Sequence, residues 1–168
     1  NGIKIAVLGL TTPGIPKWLP KHLWEGMEFR DMIETARLWV SRIQTEEQPD
    51  LLIGLFHAGF DYEYGGEKAT TPRNENASLL VARQVDGFDL IIMGHDHQGK
   101  VEEITNDAGH KVVVIDPRSH ASFLGKVDID LTRHGKKYDK TIHAQLIKLA
   151  NTPQDSAYIR HFTPALEK

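Results

Sequence analysis

Three short apolar runs, Ile3 to Leu10, Asp50 to Phe56 and Phe88 to Met93, are separated by stretches patterned for helix, and this rhythm constrains the fold more than any other feature. Between the first two runs, Phe29, Met32, Ile33, Ala36, Val40 and Ile43 recur at helical spacing within Glu28 to Gln44, with charged residues on the opposite face. Between the second and third, Asn74 or Asn76 is placed to cap a helix running to about Val85, with Gly87 where that helix should stop. Strands joined through helices pair in parallel. The chain up to Met93 therefore predicts an α/β layer.

Past Gly99 the pattern changes. Val101 to Ile104 and Val112 to Ile115 flank the turn signal Asn106-Asp107-Ala108-Gly109, and Phe123 to Leu131 and Tyr138 to Leu149 flank His134-Gly135-Lys136. These read as antiparallel hairpins, so the sequence predicts a mixed sheet packed on an antiparallel one with helices outside. Thr152 to Lys168 reads as a short helix, with Pro153 in its first turn, and a tail. The strand pattern begins at Ile3 without a lead-in, which predicts that this is a piece of a larger domain.

Composition narrows the classes. A chain of 168 residues, 40% hydrophobic, suffices for one domain with a sizeable core and is marginal for two. Its net charge is -3, and no stripe of Lys and Arg interleaved with aromatics gives support to a nucleic-acid polymer as partner, while free nucleotides remain open. No run approaches the ~18 consecutive apolar residues of a membrane span. The first ten residues lack the charged start and cleavage site of a signal peptide. With no cysteine there is neither a disulfide framework nor thiolate chemistry.

The third apolar run leads into Gly94-His95-Asp96-His97. On a strand, residues i and i+2 point to one side with Cα atoms roughly 6.6 Å apart. Two imidazoles so placed either converge on one metal or serve one each of a pair lying ~3.5–4 Å apart. His57 holds the equivalent position after the second run, just before Ala58-Gly59, and strand carboxyl ends form the ligand crevice of open α/β sheets. His57, His95 and His97 are the candidate metal ligands. The remaining histidines, His22, His110, His120, His134, His143 and His161, lack paired spacing and read as surface or structural. His120 stands out among them, because it lies in the polar insertion Pro117-Arg118-Ser119-His120, where Arg118 could meet an anion. Arg118 and His120 are therefore candidate substrate-binding residues.

These residues resemble a known family. Gly9-Leu10-Thr11-Thr12, His57-Ala58-Gly59, Glu75-Asn76-Ala77, Gly87-Phe88-Asp89, Gly94-His95-Asp96-His97 and Leu124-Gly125-Lys126-Val127-Asp128 are similar to elements in the C-terminal half of the calcineurin-like metallophosphoesterase domain. The likeness is greatest to the 5′-nucleotidase and 2′,3′-cyclic-nucleotide 2′-phosphodiesterase group, over residues 3 to 149. It implies part of a four-layer α/β/β/α sandwich, with residues 1–150 as that C-terminal half and 151–168 as a short helix and tail or linker. It also implies two divalent metal ions of the Mn, Zn, Fe or Co kind between the sheets, a nucleotide substrate, and hydrolysis of its phosphoester bonds. By the same resemblance His57 and His95 share one ion, His97 holds its neighbour, and Asp96 faces away by strand alternation. A periplasmic or secreted setting is implied as well.

Several family elements are not present. The Asp-x-His, Gly-Asp and Gly-Asn-His motifs, which supply the bridging carboxylate, an Asn ligand and the acid that protonates the leaving group, do not occur. The expectation is that the N-terminal half is missing from this chain and that the leaving-group acid lies in it. The chain alone should be inactive, with its open sheet edge covered by that missing fragment or by a second copy. The competing reading is a non-catalytic fragment or binding module with an incomplete metal site. A single-metal hydrolase is a third reading, with Glu63, Glu67 and Glu75 the acidic residues whose positions would have to be fixed.

Overall fold

The computed structural model describes residues 2–135, 137–150 and 152–166. Lys136 of the second hairpin turn and the last two residues of the tail lie outside them. Strands β1 (Ile5–Thr11), β2 (Leu51–His57), β3 (Leu90–Gly94), β4 (Lys100–Thr105) and β5 (Lys111–Asp116) form one sheet in the order β1-β2-β3-β5-β4. All neighbours in it are parallel except β4, which pairs antiparallel with β5 at the edge. The first predicted hairpin therefore joins the parallel sheet and does not start a second one. Among the described residues, β6 (Phe123–His134) and β7 (Lys137–Lys148) alone form a separate antiparallel ribbon.

Helix α2 (Met32–Glu46) begins later than its apolar pattern suggests, because Asp31 caps it: the side chain accepts from the amides of Ile33 and Glu34 at 2.9 and 3.1 Å. The same carboxylate accepts from Arg73 N at 2.9 Å, so one residue both starts the helix and ties down a distant loop. Helix α3 (Ser78–Gln84) is buried almost throughout, with Ala77 as its N-cap and no side-chain cap bond. The expectation that Asn74 or Asn76 caps it is wrong. Both amides are committed to the preceding loop, as described below. The third strand also starts later than expected, since Phe88 lies before β3.

Strand alternation splits the core in two. Leu52, Phe56, Ile91, Met93, Val112 and Val114 face the helices and pack with Met32, Ala36, Val40, Val81 and Ala82. Leu90, Val113 and Ile115 face the other way and pack with Val127, Ile129, Ile142, Ala144 and Leu146 of the ribbon. Asp89 fastens the layers, accepting from Leu52 N at 2.8 Å and from Lys140 Nζ on β7 at 2.7 Å. The described layers are helix, sheet and ribbon. At β1 and β2 the ribbon side is uncovered, leaving Ile5, Val7 and Leu55 more than half exposed.

The last helix, α4 (Ser156–Leu166), is capped by Asp155, which accepts from Ala157 N and Tyr158 N at 2.9 and 3.1 Å. Pro153 thus precedes the helix and is not in its first turn. No helix among the described residues is long and apolar enough to cross a membrane.

Candidate metal centre

Register builds the site. Thr11 stands opposite His57, and His57 opposite Gly94, so the carboxyl ends of β1, β2 and β3 lie abreast. Adjacent strands are about 4.8 Å apart, which makes His57 and His95 neighbours although 38 positions separate them in sequence. Their ring centroids are 5.1 Å apart with planes at 66°. Two imidazoles meeting one tetrahedral ion through bonds of about 2.0–2.1 Å place their centres about 5 Å apart. The donor chemistry and spacing of this pair fit one ion.

His97 goes elsewhere. Its ring faces His120, with centroids 6.2 Å apart, whose Nδ1 in turn lies 2.9 Å from Ser119 Oγ. The structure thus groups the four histidines two and two, and among the described residues no cluster of three or more His, Cys, Asp or Glu side chains is arranged around a single ion.

The His-Asp-His segment is not strand. β3 ends at Gly94, and His95 and His97 have φ of +100° and +60°. Left-handed backbone is uncommon for residues with a Cβ and persists where surroundings over-determine it. Here Asp96 does the holding: Oδ2 accepts from Phe60 N at 2.6 Å and Oδ1 from Gln98 N at 3.3 Å. Asp96 turns inward because of this clasp, not through strand alternation. Gly59 makes room for it, since a Cβ at position 59 would sit 2.8 Å from Asp96 Oδ2.

The insertion after β5 braces the same turn. Asp116, fully buried, accepts from Gly99 N at 3.2 Å and Arg118 N at 2.9 Å. Burial, and next the neighbouring Asp96 carboxyl, push the Asp116 pKa above the ordinary aspartate value. Arg118 donates from Nε to Gln98 O at 3.0 Å and lays its guanidinium over Phe123 at 5.4 Å. Arg118 and His120 also hold positive φ, +68° and +58°. So Arg118 is partly spent as a strut of the histidine turn.

Asn74-Glu75-Asn76 forms the wall beside His95. Asn74 Nδ2 donates to Tyr62 O at 2.8 Å, its Oδ1 accepts from Asn76 N at 2.9 Å, and Asn76 Oδ1 accepts from Gly59 N at 3.1 Å. Between these two buried amides Glu75 projects to the histidine, Oε1 lying 3.2 Å from His95 Nε2. Trp18, at the end of α1 (Ile15–Trp18), stacks on the same imidazole with centroids 5.2 Å apart and planes at 26°. Glu75 was visible in sequence as an acidic residue without a fixable position, and Trp18 carried no signal at all. A cavity of about 310 Å³ opens here, lined by Tyr64, Glu75, Asn76, His95, Asp96, His97 and Gln98. A larger cleft, about 930 Å³, lies at the start of α2 and is lined by none of the four histidines.

No protein-family model matches the chain. The crystal structure of the calcineurin-like phosphoesterase YfkN from Bacillus subtilis superposes with a TM-score of 0.80 over 98% of this chain and 51% of that one, at 22% identity. The chain has the calcineurin-like phosphoesterase fold. In sequence it is 32% identical over 137 residues, 80% of its length, to the trifunctional nucleotide phosphoesterase protein YfkN of Bacillus subtilis. It is also 33% identical over 100 residues to a 5′-nucleotidase of Vibrio cholerae, and 28% identical over 145 residues to the 2′,3′-cyclic-nucleotide 2′-phosphodiesterase/3′-nucleotidase of Haemophilus influenzae. The chain is thus a homologue of nucleotide phosphoesterases over most of its residues. It spans 8%, 17% and 21% of the lengths of these three relatives.

Proposed function

We propose that residues 1–150 are the C-terminal half of a metallophosphoesterase domain, followed by a helix and linker at 151–168, and that the intact protein hydrolyses phosphoester bonds of nucleotides. The observation that carries this reading is the meeting of His57 and His95 at 5.1 Å, at the carboxyl ends of two parallel strands. Such a protein would use two divalent ions of the Mn, Zn, Fe or Co kind, imidazole being a ligand these metals accept. When bound, the ions supply Lewis-acid charge to the phosphoryl oxygens and lower the pKa of the attacking water.

The residues of this chain then have distinct tasks. His57 and His95 hold one ion, and His97 reaches the other. Arg118 and His120 border the substrate, with the free face of the Arg118 guanidinium offered to an anion while its Nε braces Gln98. The acid that protonates the leaving group is contributed by polypeptide outside this chain, and that polypeptide, or a second copy, covers the open face of β1 and β2 and the free edge of β1. A periplasmic or secreted setting goes with this reading.

The test is Mn-stimulated release of phosphate from AMP, and ring opening of 2′,3′-cyclic AMP, by the full-length protein. His95→Ala is expected to abolish the stimulated turnover, and wild-type rates in that variant overturn the assignment. The 168-residue chain alone is expected to bind at most one ion, weakly, because two neighbouring dications need carboxylate charge that three neutral imidazoles do not supply.

One observation favours a second reading, a non-catalytic module: no single cluster of three ligands forms among the described residues. The reading frame upstream of Asn1 separates the two. Asp-x-His, Gly-Asp and Gly-Asn-His motifs there go with an enzyme, and their lack goes with a module completed by a partner.

A further inference from the structure

His95 is held on more sides than a loop histidine needs. Its Nε2 lies 3.2 Å from Glu75 Oε1, with both side chains 18% exposed. Trp18 covers one face of the ring, and His57 stands against it at 66°. Glu75 is itself fixed at both backbone ends: its carbonyl accepts from Thr12 Oγ1 at 2.7 Å and its amide donates to Glu67 Oε2 at 3.0 Å. The flanking Asn74 and Asn76 lock the loop on either side. A carboxylate presented this way has little freedom to leave the imidazole.

A neutral imidazole has one donor and one acceptor nitrogen, and the hydrogen bond made by one nitrogen decides the role of the other. A carboxylate only accepts, so a neutral His95 in this contact carries its proton on Nε2 and keeps the lone pair on Nδ1. We propose that Glu75 is a positioning residue that fixes the tautomer and ring orientation of His95, assigning Nδ1 as the metal-binding nitrogen, with Trp18 as the plate that stops the ring from turning. The proposal rests on the metal-centre reading given above and adds to it which nitrogen binds and what selects it. Metal-bound histidines that lose such a partner lose about 10–100-fold in affinity.

Gly14 is part of the device. Its backbone is ordinary right-handed helical, φ -71°, yet a Cβ there would meet the Trp18 ring at 2.5 Å and Glu75 Cγ at 3.2 Å. Gly14→Ala therefore displaces the plate and crowds the Glu75 side chain, without asking the backbone for anything unusual.

The experiment is long-range ¹H–¹⁵N correlation of the imidazoles in the metal-free chain and after zinc addition, with zinc affinity by calorimetry, for wild type, Glu75→Ala, Glu75→Gln and Gly14→Ala. Amide spectra confirm that each variant is folded, and Glu75→Gln, which keeps the shape and an acceptor oxygen, serves where the alanine variant fails to fold. The wild type is expected to show His95 protonated at Nε2 without metal and zinc at Nδ1 with it. Glu75→Ala is expected to mix the tautomers and weaken zinc about 10–100-fold, with Glu75→Gln and Gly14→Ala in between. A wild-type tautomer in Glu75→Ala, or zinc on Nε2 in the wild type, overturns the role of Glu75. If His57→Ala and His95→Ala leave zinc affinity unchanged, the metal-centre reading itself fails, and the metal-free tautomer still decides whether Glu75 orients His95.

Discussion

The two halves of the main sheet are written in the same residue alphabet and end in opposite environments. At β3 and β5, Ile91, Val114 and Ile115 are 0–1% exposed, with helices on one side and the ribbon on the other. At β1 and β2, Val7 and Leu55 are 57% and 52% exposed, because the ribbon stops short of them. His57 lies on that uncovered side, two residues beyond Leu55 on the same face of β2. The difference teaches that an apolar strand here reports what must be covered, and not whether this chain covers it. The candidate centre sits on the border between the two halves.

The largest effect expected from this contrast is in the paired substitutions Ile91→Ala and Val7→Thr. Removing the Ile91 side chain from a core filled on both sides should cost about 2–5 kcal/mol in urea unfolding. Val7→Thr should stay within about 0.5 kcal/mol, as exposed changes do. A cost above about 1.5 kcal/mol for Val7→Thr would mean that a second copy covers the face in solution, and the contrast would break.

A smaller effect tests the strap between layers. Lys140 and Asp89 pair at 2.7 Å with side chains 29% and 18% exposed. Lys140→Ala should cost about 1 kcal/mol and raise hydrogen exchange in β6 and β7 while sparing β1 and β2. Equal exchange gains in both halves would show that the ribbon and the open face are coupled by more than this strap.

The smallest effect is in pH dependence. The native pKa of Asp116 is raised, so the folded state binds its proton more readily than the unfolded chain does. Its contribution is present below the ordinary value of 3.8 and is lost as pH rises through the higher native value. Asp116→Asn should remove that falling limb from a series of urea midpoints taken upward from about pH 4. Asp86, lowered first by its hydrogen bond to His110, has the opposite sign, and Asp86→Asn should remove a loss seen as pH falls. An unchanged profile in Asp116→Asn would show that the brace behind the histidine turn titrates like an exposed carboxyl.

Much of this was legible in the chain itself. The apolar runs mark all five strands of the main sheet to within two residues at either end, and the period of Met32, Ala36 and Val40 marks α2, because burial of one face imposes a period that sequence records. The caps are less legible: Asp31 caps α2 from within an apolar pattern that already starts at Phe29, while Asn74 and Asn76 have the right chemistry for caps and are used to bind a loop. A side-chain amide accepts equally well from a helix start or a neighbouring strand end, and only the fold says which is in reach.

Sequence by itself determined the α/β order, the half-buried pattern of the ribbon strands and the identity of the histidines worth watching, since each follows from local period or residue chemistry. Tertiary structure alone decided that β4 and β5 join the parallel sheet, that His57 meets His95 while His97 meets His120, and that Glu75 and Trp18 surround His95. Those outcomes depend on inter-strand register and on left-handed turns at His95 and His97, which bring together residues tens of positions apart, and no local period encodes a distance across a sheet.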